Sequence, residues 1–114
     1  EEVMQLTAKA ILEDLGYDVM LAENGMDALR IYQEGSDSFD LVILDMVMPV
    51  MDGSDCFKAL IHYDPKVRVL LSSGFTREED LKGLKELGLA GFIRKPYRSA
   101  EFSEAITAAV RKSD

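Results

Sequence analysis

Asp45 is the residue of this sequence most clearly placed for chemistry, because its carboxylate directly follows a run of four apolar residues, Leu41 to Leu44. Such a run is typical of a strand buried on both faces, as in parallel sheets covered by helices. A carboxylate inside that strand would be costly to bury, whereas at the strand's carboxyl end it faces the crevice where open α/β sheets bind ligands. The pattern therefore indicates a residue placed for chemistry rather than for packing.

Composition and charge restrict the classes of function. The chain has 114 residues, which suits one compact domain, and 13 Lys and Arg against 21 Asp and Glu give a formal net charge of −8. This acidity disfavours direct binding to nucleic acid or to an anionic membrane. One cysteine, Cys56, cannot form an internal disulfide, and one histidine, His62, cannot supply a zinc-ligand cluster. Without a leader or an apolar run near the roughly 20 residues that span a bilayer, we expect a soluble, cytoplasmic protein.

Helix and strand patterns alternate along the chain. Apolar spacing predicts helices before Gly16, after Asn24, after Gly53, before Gly88 and over Phe102 to Val110. Strands are predicted at Tyr17 to Leu21, Leu41 to Leu44, Val67 to Ser73 and Ala90 to Ile93. Thr76 and Glu79 form a T-x-x-E pattern that predicts a capping box before the fourth helix.

This alternation predicts an α/β protein, a doubly wound parallel sheet with helices on both faces. In the strand order 2-1-3-4-5 that such sheets adopt, the first strand lies between the second and the third. The sequence begins with a helix pattern, so we expect the first strand to be missing and two strand edges to be unpaired at the centre of the sheet.

Three segments, LVILDMVMPVMDG, VLLSSGF and GFIRKPY, each follow a strand pattern. With these segments in this order, the chain resembles the receiver domain of two-component response regulators, in the family typified by CheY. The resemblance covers essentially residues 1–114 and implies one receiver domain with the flavodoxin-like (βα)5 fold, a three-layer sandwich. The last two segments are similar to those of receivers attached to hybrid histidine kinases.

The resemblance implies a role for the residues around Asp45. In receivers the aspartate that ends the third strand accepts a phosphoryl group from a histidine kinase, and Asp45 occupies that place. The main-chain carbonyl of Val47 is the implied second ligand, beside Asp45, of a Mg²⁺ ion. Met48-Pro49 and Asp52-Gly53 match the loop that follows, and they are also ordinary turn residues.

Ser73, Lys95 and Phe92 match three further positions of the family. Ser73 matches the hydroxyl that hydrogen-bonds the phosphoryl group, although a serine at a strand end often bonds only a loop backbone. Lys95 matches the lysine that pairs with the acceptor and the phosphoryl group, and a cis proline, here Pro96, follows it. Phe92 falls at the position of the switch aromatic, which is more often tyrosine, and a core aromatic is an equally good interpretation.

The chain departs from the family at its start. In receivers a pair of acidic residues ends the first strand and binds Mg²⁺, and this sequence begins just after that place. Glu1 and Glu2 lie beyond the pair when positions are counted back from LGY, so we do not assign them as ligands. With Asp45 and the carbonyl of Val47 alone, the chain is expected to bind Mg²⁺ poorly and to accept phosphate slowly.

The resulting hypothesis is a phosphorylation-controlled signalling module rather than a conventional enzyme. A histidine kinase or phosphotransfer protein would modify Asp45, and the surface from Thr76 to Ile93 would change its packing. A receiver-like interaction module that never takes phosphate stays open as an alternative, as does a homodimer. An aspartate-nucleophile phosphatase of the haloacid dehalogenase type is disfavoured, because it needs a second Asp where this chain has Val47.

Overall fold

A computed structural model describes residues 2–47, 50–74 and 76–111 of the chain. Five α-helices, three β-strands and a 3₁₀ turn at Ser36–Ser38 lie within these ranges. The bounds are α1 Glu2–Asp14, α2 Gly25–Glu34, β1 Val42–Asp45, α3 Gly53–Tyr63, β2 Val69–Ser73, α4 Glu78–Glu86, β3 Gly91–Arg94 and α5 Ser99–Arg111. Among these helices none is both long enough and apolar enough to cross a bilayer.

Local sequence signals account for several helix boundaries. The side-chain oxygen of Asn24 accepts a 2.8 Å hydrogen bond from the backbone N–H of Asp27 and so caps α2, as predicted. Gly16 and Gly88 follow α1 and α4 with φ values of 95° and 110°, a region that strains any residue with a Cβ atom. These two glycines are the predicted helix stops.

The three strands form a parallel sheet in the order β1-β2-β3. Asp45 at the end of β1 lies opposite Ser72, and Ser73 at the end of β2 lies opposite Arg94. The carboxyl ends of all three strands are therefore level at one edge of the sheet. This arrangement confirms the last three strands of the predicted order 2-1-3-4-5.

The predicted strand at Tyr17 to Leu21 is wrong: no regular structure is assigned from Tyr17 to Ala22. A strand needs a neighbour that exchanges backbone hydrogen bonds with it. In the predicted order its only neighbour is the first strand, for which the sequence at hand has no segment. Met20 and Leu21 accordingly remain 64% and 42% exposed, although their types suit a covered strand.

Two apolar cores lie on opposite faces of the sheet. Val69 and Leu71 of β2 enter one core, and Leu70 between them enters the other, because successive side chains of a strand point to opposite faces. The first core is shared with α2, α3 and α4 through Tyr32, Cys56, Phe57, Leu60, Leu81 and Leu84. The second is shared with α1 and α5 through Ile11, Leu12, Phe102, Ile106 and Ala109. The sheet and its helices thus form the three predicted layers.

Cys56 lies on α3 inside the first core. Its side chain is fully buried, and its Sγ donates a 3.4 Å hydrogen bond to the carbonyl oxygen of Gly25. Burial raises the pKa of the Cys56 thiol to about 11, because the thiolate would lose its hydration. The thiol is therefore uncharged and unreactive at neutral pH.

Tyr32 joins α2 to the end of α3. Its hydroxyl donates a 2.6 Å hydrogen bond to Oδ2 of Asp64, the C-cap residue of α3, and its ring meets that of Tyr63 edge-on at 6.4 Å between centroids. The bond from Tyr32, followed by one from the backbone of Lys66, lowers the pKa of Asp64 below its ordinary value of 3.8. Burial of the ring, followed by the contact with Asp64, raises the pKa of Tyr32.

Replacing Tyr32 with phenylalanine is expected to lower the free energy of unfolding by about 1.5–2 kcal/mol at neutral pH, the low end of the range for a hydrogen bond to a charged group, because Asp64 is only partly buried. The measurement is urea unfolding of the whole chain. Tyr63→Phe is the matched control, because the hydroxyl of Tyr63 bonds the carbonyl of Gln33 at an exposed site and should matter by less than about 0.5 kcal/mol.

The difference in free energy of unfolding between wild type and Tyr32→Phe should depend on pH. Because the pKa of Asp64 is depressed in the folded state, its stabilising contribution is fully present above about pH 4 and is lost as the pH falls through the folded pKa. The difference between wild type and Tyr32→Phe should therefore shrink in acid. A difference that stays constant down to pH 2 would show that Asp64 is not the partner that matters.

Candidate functional site

Asp45, Ser73 and Lys95 meet at the edge of the sheet where the three parallel strands end. Asp45 and Ser73 are the last residues of β1 and β2, and Lys95 directly follows β3. The backbone N–H of Lys95 donates a 2.8 Å hydrogen bond to the carbonyl oxygen of Ser73, so the pairing of β2 with β3 extends to the base of the Lys95 side chain. The three residues predicted for the site thus stand at neighbouring strand ends, with the side chains of Asp45 and Lys95 in direct contact, and their shared function stays a prediction.

The carboxylate of Asp45 is held at both oxygens. Its Oδ1 accepts a 3.1 Å hydrogen bond from the backbone N–H of Val47, and its Oδ2 accepts a hydrogen bond from Nζ of Lys95. The side chain of Asp45 is 29% exposed and that of Lys95 is 22% exposed, so both are partly shielded and still reachable from solvent. The arrangement offers an oriented carboxylate beside a fixed positive charge. That charge could form hydrogen bonds with an incoming anion.

Lys95 is aimed at Asp45 by the chain on both sides of it. The Lys95–Pro96 peptide bond is cis, as the resemblance implies. After it, the ring of Tyr97 stacks on Phe102 of α5 at 5.1 Å between centroids, which ties this turn to the second core. Burial raises the pKa of Tyr97, the charge of Lys95 lowers it and the charge of Asp45 raises it. Tyr97 therefore lies within electrostatic reach of the ion pair, a placement that sequence reasoning did not anticipate.

The loop after β1 is tightly packed beneath the acceptor. The backbone N–H of Gly53 donates a 2.9 Å hydrogen bond to the carbonyl of Met46, and a Cβ atom at Gly53 would lie 2.4 Å from the carbonyl oxygen of Asp45. Asp52 caps α3 by accepting a 2.8 Å hydrogen bond from the backbone N–H of Asp55. Met48 and Pro49, which match the family loop, lie outside the described residues.

Val47 and Val50 form the exposed part of this loop, at 82% and 78% exposure. Val50 has a φ of 70°, a left-handed conformation that is rare for a β-branched residue. The backbone here is thus shaped by the tight turn around Gly53 rather than by the preference of the side chain.

Ser73 is almost fully buried and accepts a hydrogen bond from another hydroxyl. Oγ1 of Thr76 donates to Oγ of Ser73 at 2.7 Å, and Thr76 itself is 8% exposed. The predicted capping box of Thr76 and Glu79 is therefore wrong: α4 begins at Glu78, its N-cap is Arg77, and no side chain bonds that cap. The hydroxyl of Thr76 bonds Ser73, three residues before it, instead of the start of α4.

Phe92 lies on the second position of β3, half-buried against the core formed with α2, α3 and α4. The guanidinium of Arg94, two residues later on the same strand, lies over its ring at 5.5 Å from the centroid. Nη2 of Arg94 also donates a 3.3 Å hydrogen bond to the carbonyl oxygen of Thr76. The location suits a core aromatic, and its contact with Arg94 was not anticipated from the sequence.

Metal ligands are few at this edge. Among the residues that the structure describes, no group of three or more Asp, Glu, His or Cys side chains is close enough to hold one ion. The carboxylate of Asp45 and the carbonyl of Val47 are the two oxygen donors that the sequence indicates. Mg²⁺ prefers six oxygens, so these two donors do not make a dedicated site for it.

Comparison with known proteins gives a consistent result. The family model described as "Response regulator receiver domain" matches residues 1–107. The chemotaxis protein CheY of Bacillus subtilis is 34% identical over 104 residues, which is 90% of this chain and 85% of that protein. This chain therefore matches most of the length of that CheY protein.

Solved structures show the same fold. A response regulator receiver domain protein from Clostridium thermocellum is 29% identical, with a TM-score of 0.88, over 96% of this chain and 87% of its own. The structure of a CheX-CheY-BeF3-Mg²⁺ complex from Borrelia burgdorferi is also 29% identical, with a TM-score of 0.86, over 97% of this chain and 82% of the matched chain. These likenesses confirm the flavodoxin-like α/β fold.

Proposed function

Because this chain belongs to the response regulator receiver domain family, we propose that Asp45 accepts a phosphoryl group from a histidine kinase or a phosphotransfer protein. The observation that carries the proposal is the ion pair between Lys95 and Asp45 at the carboxyl edge of the sheet, with the chain of Ser73 hydrogen-bonded to that of Lys95. Receiver domains are signalling modules, and the product here would be a conformational state rather than a released compound.

The transfer step requires one reactive oxygen. A carboxylate oxygen of Asp45 attacks the phosphorus of a phosphohistidine, an O–P bond forms, and the N–P bond breaks with its electron pair passing to the imidazole. The carboxylate can be reached from solvent, because the side chain of Asp45 is 29% exposed. Hydrolysis of the acyl phosphate by water would later return the free carboxylate.

Lys95 supplies the fixed positive charge. Before transfer its ammonium holds Oδ2 of Asp45, and after transfer it lies next to the new phosphoryl oxygens, whose charge it would offset. Ser73, on the neighbouring strand end, would donate its hydroxyl to a phosphoryl oxygen after a small rotation. Phe92 would then change its packing against the core, which is the proposed readout.

Mg²⁺ is expected to bind weakly to the residues described here. An ion at this edge would offset charge on the transferred group. Asp45 and the carbonyl of Val47 are too few donors to fix it, so the steps above rest on Lys95 alone. We place the module in the cytoplasm, where phosphohistidine donors of this class act, and we assign it no nucleic acid ligand because of its net charge of −8.

The small number of metal donors among the described residues favours one alternative. This is an interaction module with the same fold that never takes phosphate. The test is to incubate the chain with Mg²⁺ and either acetyl phosphate or a phosphorylated histidine kinase, and to weigh the intact protein. We expect one added phosphoryl group, removed by hydroxylamine as an acyl phosphate would be, and located at Asp45 after borohydride reduction and peptide mapping. A folded chain that gains no mass from either donor would support the interaction module instead.

A further inference from the structure

Four residues link the acceptor edge of the sheet to the ring of Phe92. Thr76 donates its hydroxyl to Ser73, Arg94 donates to the carbonyl of Thr76, and the guanidinium of Arg94 lies over the ring of Phe92. The first contact joins the turn after β2 to the end of β2, the second joins that turn to β3, and the third lies within β3. None of them involves Asp45 or Lys95. The series thus runs from the hydroxyl at the acceptor edge to the half-buried aromatic ring.

Strand geometry explains why Arg94 is the connecting residue. Side chains two positions apart on a strand share a face, so Arg94 lies on the same side of β3 as Phe92. Its side chain is exposed and can follow a moving partner, whereas Thr76 is buried. A planar guanidinium can stack on a ring and donate a hydrogen bond from its edge at the same time, which a lysine ammonium cannot do.

We propose that Arg94 is a positioning residue that transmits a displacement of Ser73 to the ring of Phe92 through the main chain of Thr76. The proposal rests on the function proposed above, because phosphorylation of Asp45 is what would displace Ser73. The hydroxyl of Thr76 is buried, and a buried hydroxyl without a partner is costly, so Thr76 follows Ser73. The carbonyl that Arg94 binds belongs to the same residue and moves with it.

The experiment follows the ring directly. The full chain is labelled with 4-fluorophenylalanine, and the fluorine resonance of Phe92 among the five phenylalanines is assigned by a Phe92→Leu variant. Spectra are recorded before and after treatment with acetyl phosphate and Mg²⁺, and intact mass gives the phosphorylated fraction of the same samples. We expect Arg94→Ala to take up phosphate as wild type does, with a response of the Phe92 resonance about threefold smaller.

Two further variants separate transmission from general damage. Arg77→Ala is the matched control, because Arg77 is an exposed arginine nearby whose charge lies close to Glu79 and Asp80. It should respond as wild type does. Thr76→Val should lose the response as Arg94→Ala does, and Thr76→Ser, which keeps the hydroxyl, should restore it.

The outcomes distinguish the two proposals. If wild type gains no phosphoryl group, the proposed function fails and the role of Arg94 fails with it. If wild type is phosphorylated and the Phe92 resonance of Arg94→Ala responds in full, the role of Arg94 alone is overturned. A reduced response in Arg94→Ala with normal phosphate uptake, together with a full response in Arg77→Ala, would establish it.

Discussion

Asparagine in place of Asp45 is expected to abolish uptake of the phosphoryl group from every donor. The amide has the size of the carboxylate and keeps one oxygen, which can accept from Val47 or from Lys95 but not in both places, so the shape of the site should survive with one of the two hydrogen bonds lost. What it loses is the anionic oxygen that attacks phosphorus. Intact mass after incubation with acetyl phosphate, compared with wild type at equal times, measures the effect.

Asp52→Asn is the matched control for that substitution. Asp52 is also an aspartate of the loop after β1, but its carboxylate caps α3, and asparagine serves equally well as an N-cap. It should take up phosphate at a rate close to that of wild type. Undiminished labelling of Asp45→Asn, with the label found elsewhere in the chain, would refute the assigned acceptor.

Alanine in place of Gly53 is expected to cause a clear loss of stability, because the added methyl group has no space beneath the acceptor. The new Cβ atom would lie 2.4 Å from the carbonyl oxygen of Asp45 and 2.9 Å from the Cα of Met46, and both are backbone atoms that cannot rotate away. The loop must therefore shift. We expect a loss of about 1–3 kcal/mol in urea unfolding, as for other overpacked sites.

The same shift should slow phosphorylation, because it moves the backbone that carries the acceptor. A displacement near 1 Å at a reacting group can lower a rate by roughly 100-fold. Gly83→Ala provides the control: Gly83 lies inside α4 with open space around its Cα, and alanine there should add up to about 1 kcal/mol of stability. Equal unfolding midpoints for Gly53→Ala and wild type would show that the loop yields without cost.

Much of the site could be predicted from sequence because its residues occur where strands end. The apolar runs before Asp45 and Ser73 indicate buried strands, and the carboxyl ends of parallel strands meet at one edge. The direct hydrogen bond between Lys95 and Asp45, 50 residues apart, follows from that rule once each strand is located. The resemblance to receivers added the roles, which periodicity alone does not provide.

Two predictions failed for physical reasons. Tyr17 to Leu21 has the composition of a strand, but composition does not guarantee a neighbour with which to pair. Thr76 has the spacing of a capping residue, but its hydroxyl reaches Ser73 in three dimensions. The strand lacks a pairing partner outside its own segment, and Thr76 bonds the residue three positions before it rather than the helix after it. Composition and spacing do not decide between such alternatives. The hydrogen bond from Arg94 to the carbonyl of Thr76, 18 residues away, could not be predicted from local patterns either.

The complete burial of the thiol on α3 makes the chain a reporter of its own opening. An alkylating reagent attacks the thiolate, and here that form is suppressed both by a pKa of about 11 and by the lack of solvent contact at Cys56. Modification therefore has to wait until α3 separates from the sheet. Since the sequence contains one cysteine, the rate of alkylation records how often that separation occurs, with no added label.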